Sequence, residues 1–359
     1  MSILNDVDKI RSIDPENMYN RVFDFPEHIA EALQIGKRWK LDISAFTDVR
    51  NVVVIGMGGS AIGGDLVRSY LNSALMVPFQ ICRNYSLPEF VDDETLVIAS
   101  SYSGNTEETL SALDDAIARK AMIAAISTGG MLEEVCKLND IPMAAIPGGM
   151  QPRAALAYSF VPLLVFLEQV GLIKGVKSEL SKLSDLIGKH REQLSEDVPL
   201  ETNGAKTLAT QLHGKIPIIY GGPTLTDVIA VRWKGQICEN AKNLSFANQF
   251  PEFNHNELVG WSETIEPFKQ YLCVVMLRDG NDHPKVARRI DIVKGLIERL
   301  GVDVIEVRSG GVGVLERLCQ LIQLGDFMSY YLAVLNQVDP SPVHVIQELK
   351  AALIEKTPA

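Results

Sequence analysis

A doubly wound α/β fold, two units each built on a parallel sheet flanked by helices, is what this sequence predicts, on three observations. Short apolar runs bounded by Gly, Pro, Asn or Asp recur between stretches of helical periodicity, the pattern of buried parallel strands alternating with helices. Two of these runs pass directly into glycine- and hydroxyl-rich turns, Gly56-Met-Gly-Gly-Ser60-Ala-Ile-Gly-Gly-Asp65 and Ser101-Tyr-Ser103-Gly-Asn-Thr106-Glu-Glu108. The layout then begins again, with Ile216-Pro-Ile-Ile-Tyr220 running into Gly221-Gly222-Pro223 as the first strand runs into Gly56.

Taken in order, residues 1 to about 50 show helical periodicity broken at Pro15 and Pro26, which predicts two or three short helices. Strands are expected at 52–55, 78–82, 96–99, 122–127 and 141–145. A long helical region over 153–194 follows, and its charge-rich part, 174–196, reads as a solvated bridging helix. The boundary falls near 196–203, dividing the chain into 1–198 and 199–359. In the second unit, strands near 271–277 and 303–307 alternate with helices at 283–300 and 314–338, and a last helix is expected at 343–355. A site between two similar units is the expectation.

Composition narrows the partners. With 359 residues, 47% hydrophobic and 22% charged, the chain can bury two cores. A net charge of −11 and a pI near 5.1 argue against nucleic acid or an anionic membrane as the main partner. The N-terminal residues lack a signal-peptide layout and no apolar stretch reads as a membrane span, so a cytoplasmic protein is expected. Cys82, Cys136, Cys238, Cys273 and Cys319 are scattered, without a CxxC pair, as buried thiols of a reducing compartment are. The six histidines show no HxH or HExxH spacing, and nothing in the sequence calls for a metal or another cofactor.

The two turns carry the chemistry. A strand that runs into a helix leaves the first helical N–H groups unpaired, with the positive end of the dipole behind them, and this cradles a phosphate. Gly58 and Gly59 let the backbone approach, while Ser60, Ser101, Ser103 and Thr106 add hydroxyls. Gly56-x-Gly58-x-x-Ala61 also fits a dinucleotide fingerprint, but the second strand ends in Phe79-Gln-Ile-Cys-Arg83-Asn84, with no acid for a ribose. Arg83 alone keeps a 2′-phosphate contact open. Helix capping is the plain alternative for the second turn, although capping needs one such residue, not four polar groups in six.

A Gly-Gly-Ser turn and a Ser-x-Ser-Gly-x-Thr turn after consecutive strands resemble the sugar isomerase (SIS) fold, which implies a phosphosugar ligand. Further along, Glu239-Asn-Ala-Lys-Asn243 and Pro251-Glu-Phe-Asn-His255-Asn-Glu-Leu-Val-Gly-Trp261, with Gln151-Pro-Arg153 and the segment 342–350, resemble the bifunctional phosphoglucose/phosphomannose isomerases over nearly the whole chain. The resemblance implies two SIS-type domains, the second carrying Glu239, His255 and the last helix. It also implies a homodimer in which His255 reaches the neighbouring subunit's site, and an active-site role for Lys350.

Moving a carbonyl between C1 and C2 of an open-chain sugar phosphate requires a base that takes a proton from one carbon and returns it to the next. Glu239, in a helix-like stretch before a strand candidate, is the candidate base if partly desolvated; in isolation it would read as a solvated helix-end residue. His255, in a polar turn, suits ring opening, against a plain surface histidine. Arg153 is the candidate donor to a developing enediolate, against an unpartnered arginine in a helix that Pro152 starts. Lys350 reads equally as a solvated helix lysine. The family's threonine before the last helix, associated with the mannose epimer, has Ser341 as its nearest hydroxyl here.

The expected function is metal-independent interconversion of glucose 6-phosphate, mannose 6-phosphate and fructose 6-phosphate through a cis-enediol. A sugar-phosphate sensor is the second reading, but the first fifty residues are too short and Pro-broken for a basic helix-turn-helix. An amidotransferase half would want an N-terminal cysteine and a glutaminase domain, and residue two is serine.

Overall fold

In the computed structural model, which describes residues 2–356, three helices precede the first strand: α1 (Val7–Ser12), α2 (Met18–Phe23) and α3 (Phe25–Arg38). Asp6 caps α1 by accepting from the Lys9 N–H. Pro26 sits in the first turn of α3, where its missing N–H breaks no helical bond.

The first sheet is built from β1 (Asn51–Ile55), α4 (Gly58–Leu71), β2 (Phe79–Cys82), β3 (Thr95–Ser101), α5 (Glu107–Ala118), β4 (Met122–Ser127), α6 (Gly130–Leu138) and β5 (Met143–Ala145). All pairs are parallel, in the order β2-β1-β3-β4-β5. Every residue of β3 is buried, as an unbroken apolar run requires when helices cover both faces. Two strands begin later than expected because proline cannot donate to a ladder: the Pro78 and Pro142 carbonyls accept from Val52 and Ala125, and pairing proper starts just after each. The strand order reverses between β1 and β3, which opens a crevice at their C-terminal ends.

The long helical region expected over 153–194 is two helices, α7 (Leu156–Gln169) and α8 (Val176–Arg191). Gly171 and Gly175, both at left-handed φ (+81° and +83°), break it. α7 is buried from Leu156 through Leu167, Pro162 included. α8 is amphipathic and not a solvated bridge: Leu180, Leu183 and Ile187 are buried, and Ser184 Oγ donates to the Pro26 carbonyl at 2.9 Å.

The second sheet follows α9 (Gly204–Leu212) and comprises β6 (Ile216–Gly221), α10 (Thr226–Ala241), β7 (Phe246–Gln249), β8 (Leu272–Arg278), α11 (Pro284–Arg299), β9 (Asp303–Arg308) and α12 (Val314–Leu335), with α13 (His344–Lys356) last. The order is β7-β6-β8-β9, again all parallel. Contrary to expectation, one segment has the length and apolar character of a membrane span. That segment is α12, with 83% of its apolar window buried inside the fold. Gly325 leaves a gap in α12 that the Trp233 indole of α10 fills, its Nε1 donating to the Leu321 carbonyl at 2.8 Å. Through α4, α7, α10 and α12 one continuous apolar core joins the two sheets.

Candidate active site

The two turns meet at the reversal point of the first sheet. β1 ends at Ile55 and α4 starts at Gly58, whose φ of +50° is open to glycine at little cost. Ser60 accepts from the Tyr102 N–H at 3.2 Å and so ties the first turn to the second. Within the second, Ser101 Oγ and Thr106 Oγ1 share a hydrogen bond of 2.9 Å, and Ser101 also accepts from the Gly104 N–H at 3.2 Å. Thr106 stands at the N-cap of α5 yet its side chain makes no capping bond. The capping alternative therefore does not account for this hydroxyl, which is turned to Ser101. Ser60 and Ser101 are buried, Thr106 is half-buried and Ser103, accepting from the Asn105 N–H, is exposed. The turn closes only because Gly104, at φ +69°, has no Cβ, which would overlap the Gly129 carbonyl.

Gly59 does a second job. A Cβ there would lie 2.8 Å from the Pro152 carbonyl, so its absence lets the turn carrying Arg153 press against the first glycine-rich turn. Arg153 precedes α7 by one turn and does not belong to it. It is 4% exposed and fully engaged. Nε donates to Asn240 Oδ1 at 2.6 Å, Nη2 to the Pro340 and Ser341 carbonyls at 2.6 and 2.8 Å, and Nη1 faces Glu239 Oε2 at 3.4 Å. The unpartnered helix-start arginine is thus ruled out. Burial lowers the pKa of this guanidinium and the Glu239 carboxylate opposes the shift.

Glu239 lies in the last turn of α10, its side chain 38% exposed. Desolvation is accordingly partial: the carboxylate has one flank on Arg153 and the other open. Both residues line a cleft of about 570 Å³ between the two units, together with Gly58 and Gly59. At the cleft's rim Arg83 is paired with Asp65 of α4, so the side chain that kept a 2′-phosphate contact open already has an acidic partner.

Six expected site residues are not among those that line the cleft: Ser60, Ser101, Ser103 and Thr106 of the two turns, and His255 and Lys350. His255 ends a short 3₁₀ turn, Glu252–His255, exposed and outside the residues that line the cleft. Lys350 is exposed on α13 and also outside that lining. Ser341 is 2% exposed, its carbonyl held by Arg153 and its hydroxyl buried without a partner.

The structure adds residues that sequence reasoning left unassigned. Asn240, fully buried, holds Arg153 with its oxygen and donates to Ser329 Oγ at 3.0 Å with its nitrogen. Below it Arg232 donates to the Arg153 carbonyl at 3.1 Å and to Asp326 at 2.6 Å, and Gln236 donates to the same carboxylate at 2.8 Å. Their signal was present as polar residues recurring on the apolar face of α10. The corresponding crevice of the second sheet is filled from within: Asp282 Oδ1 lies 2.9 Å from where a Gly222 Cβ would be, and Asp282 accepts from the Asp279 N–H at 3.0 Å.

Comparison with known proteins agrees with this architecture. Residues 201–353 match the bacterial phospho-glucose isomerase C-terminal SIS domain, and residues 45–172 match the SIS domain. The chain is 46% identical to a bifunctional phosphoglucose/phosphomannose isomerase of Caldicellulosiruptor bescii, over 94% of this chain and 99% of that one. It is 32% identical to a D-glucosamine-6-phosphate 4-epimerase of Sulfolobus acidocaldarius, over 68% of this chain and 77% of that one. In fold it is similar to a hypothetical protein of Thermus thermophilus, with a TM-score of 0.74 at 16% identity, covering 97% and 94% of the two chains. Sharing nearly half its residues with a relative over almost the whole of both chains, the protein belongs to the bifunctional phosphoglucose/phosphomannose isomerase family.

Proposed function

We propose that the protein is a metal-independent aldose–ketose isomerase that interconverts glucose 6-phosphate, mannose 6-phosphate and fructose 6-phosphate through a cis-enediol. The observation that carries this reading is the Glu239–Arg153 pair, which lines one cleft with the Gly58-Gly59 start of the phosphate turn. The phosphate binds at the paired turns, on the free N–H groups of α4 and α5 and the hydroxyls of Ser60, Ser101, Ser103 and Thr106. Residues 1–198 supply these groups and 199–359 supply the base.

In the open chain, Glu239 removes the proton from the carbon beside the carbonyl and returns it to its neighbour. Negative charge passes to the enediolate oxygens as the carboxylate becomes neutral, and Arg153 Nη1, 3.4 Å from that carboxylate, is placed to meet it. Arg153 cannot swing away, since Asn240, Pro340 and Ser341 hold the rest of its fork. Proton transfer between ring oxygen and anomeric hydroxyl falls to His255, and Lys350 assists at the sugar. His255 is brought to the cleft by a second copy of the chain, which makes a homodimer the working unit. The exposed Val345, Ile346 and Leu349 of α13 supply apolar surface for that contact. All five cysteines are free, which suits a reducing, cytoplasmic compartment.

The test is NMR of the products formed from fructose 6-phosphate by purified protein in excess EDTA. Appearance of both glucose 6-phosphate and mannose 6-phosphate is the expected outcome. Inversion at C4 instead would move the protein toward the chemistry of the Sulfolobus relative. Binding without conversion would make it a sugar-phosphate sensor.

A further inference from the structure

Between the end of α12 at Leu335 and the start of α13 at His344, the chain crosses the C-terminal end of α10, and three side chains fasten it there. Arg153 reaches the linker from the first unit, through the Pro340 and Ser341 carbonyls. Lys242 reaches it from the end of α10, its Nζ donating to the Pro340 carbonyl at 3.2 Å and to the backbone carbonyl of Glu239 at 2.6 Å. Asn336 completes the seam by donating to the Ala241 carbonyl at 2.9 Å. We propose that Lys242 is a positioning residue for the Glu239–Arg153 pair: its ammonium clips the last turn of α10 to Pro340, so that glutamate, arginine and the linker into the last helix keep one arrangement.

The backbone here is that of an ordinary helix ending, for Lys120, Asp140 and Gln337 stand at similar left-handed φ (+60°, +53° and +55°) shortly after α5, α6 and α12. Lys242 is the C-cap of α10 at φ +52°, a left-handed position that usually carries Gly or Asn. A lysine that merely ended the helix would need only the Glu239 carbonyl. The second bond, to a segment far along the chain, is what makes it a clip. The charges facing this ammonium are Arg153 from the turn before α7, Asp339 from the linker and Glu239 from α10. Although the residue is exposed overall, partial desolvation of its ammonium and then the Arg153 charge lower Lys242 to about 8, against the pull of Asp339 and Glu239. The positive charge of the clip therefore fades as pH rises through about 8.

Hydrogen exchange on the full-length protein without substrate reads the clip directly. In Lys242→Met the Val338 and Ser341 amides should exchange about tenfold faster than in the wild type, and in Lys242→Arg at close to the wild-type rate. Lys242→Gln, which keeps a donor but no charge, takes the place of the methionine variant if that one does not fold. The second readout, which rests on the isomerase reading above, is the pH dependence of kcat/KM for fructose 6-phosphate. The wild type should lose rate as pH rises through about 8. Lys242→Arg should carry that limb to higher pH, and Lys242→Met should lack it, with kcat about tenfold down and KM little changed. Unchanged exchange in Lys242→Met overturns the clip, whether or not the protein is an isomerase. Faster exchange with a wild-type pH profile in an active enzyme overturns the positioning role. A wild type inactive on every hexose phosphate, with faster exchange in the variant, sinks the isomerase reading and leaves the clip standing.

Discussion

At the scale of single residues, Glu239 and Arg153 divide the labour of the proposed mechanism by their surroundings. The arginine is buried and held on three sides; the glutamate is part-exposed and touches the arginine by one oxygen at 3.4 Å. A group that must accept and return a proton needs the looser setting, while a group that meets developing charge gains from having no freedom to move. Glu239→Gln preserves shape and removes the proposed base. It should lower kcat by roughly 10²–10⁴ while leaving fructose 6-phosphate binding near wild type by calorimetry. Retained turnover would take the base assignment away from Glu239.

At the scale of elements, the two proposed phosphate-binding turns depend on what their glycines make room for. Gly104 combines φ +69° with a neighbouring carbonyl that a Cβ would overlap, whereas Gly58, at φ +50°, has nothing within 4 Å. Gly104→Ala should therefore cost roughly 2–6 kcal/mol from strain plus overpacking and abolish phosphosugar binding. Gly58→Ala should cost only about 1–2 kcal/mol, the price of a left-handed conformation alone. Urea unfolding of the two variants checks the ranking, and equal losses would contradict it. The halves of the molecule also differ here. In the second sheet Asp282 and Asp279 fill the crevice from within, while in the first the matching place is left to backbone N–H groups and hydroxyls.

At the scale of the whole molecule, the proposed catalytic unit includes a second copy, which brings His255, exposed and outside the cleft's lining in one chain, to the site. Mixed dimers of Glu239→Gln and His255→Ala subunits, formed by co-expression, place both defects in one site and leave the other intact. Such preparations should regain about a quarter of wild-type activity, where each variant alone is nearly inactive. No recovery would mean that both groups act within one chain.

Stability should also fall on acidification. His28 and His190 are held below the usual 6.5 by burial, against nearby carboxylates for His28 and against a hydrogen bond to Gln323 and the Glu316 charge for His190. Their folded pKa values lie below the unfolded one, so the unfolded chain binds more protons in that window and stability is lost as pH drops through 6.5. His28→Phe should shrink the difference in urea midpoint between about pH 7.5 and about pH 5.5. An unchanged difference would remove His28 from the acid response.

The strands, the two glycine-rich turns and the family were legible in the sequence because each is a local pattern. An apolar run, a glycine that must take φ > 0 and a hydroxyl beside a helix start all act within a few residues of chain. Glu239 and Arg153 were legible as types and as motifs, but not as a pair. Their contact joins the turn before α7 to the end of α10, and no periodicity specifies that meeting. Asn240, Arg232 and Asp326 escaped notice because a buried polar network looks, in sequence, like interruptions of an apolar face; only tertiary packing shows that each one satisfies another. The same reason separates α7 from α8, whose charge count suggested a solvated bridge until its apolar stripe found α3. It also explains α12, whose span-like hydropathy is used up inside the fold. Local sequence was enough to specify most of the elements, the two turns at the sheet's reversal point and the family. Which carboxylate faces which guanidinium was left to the folded chain, because that depends on where distant segments are packed and on what burial leaves exposed.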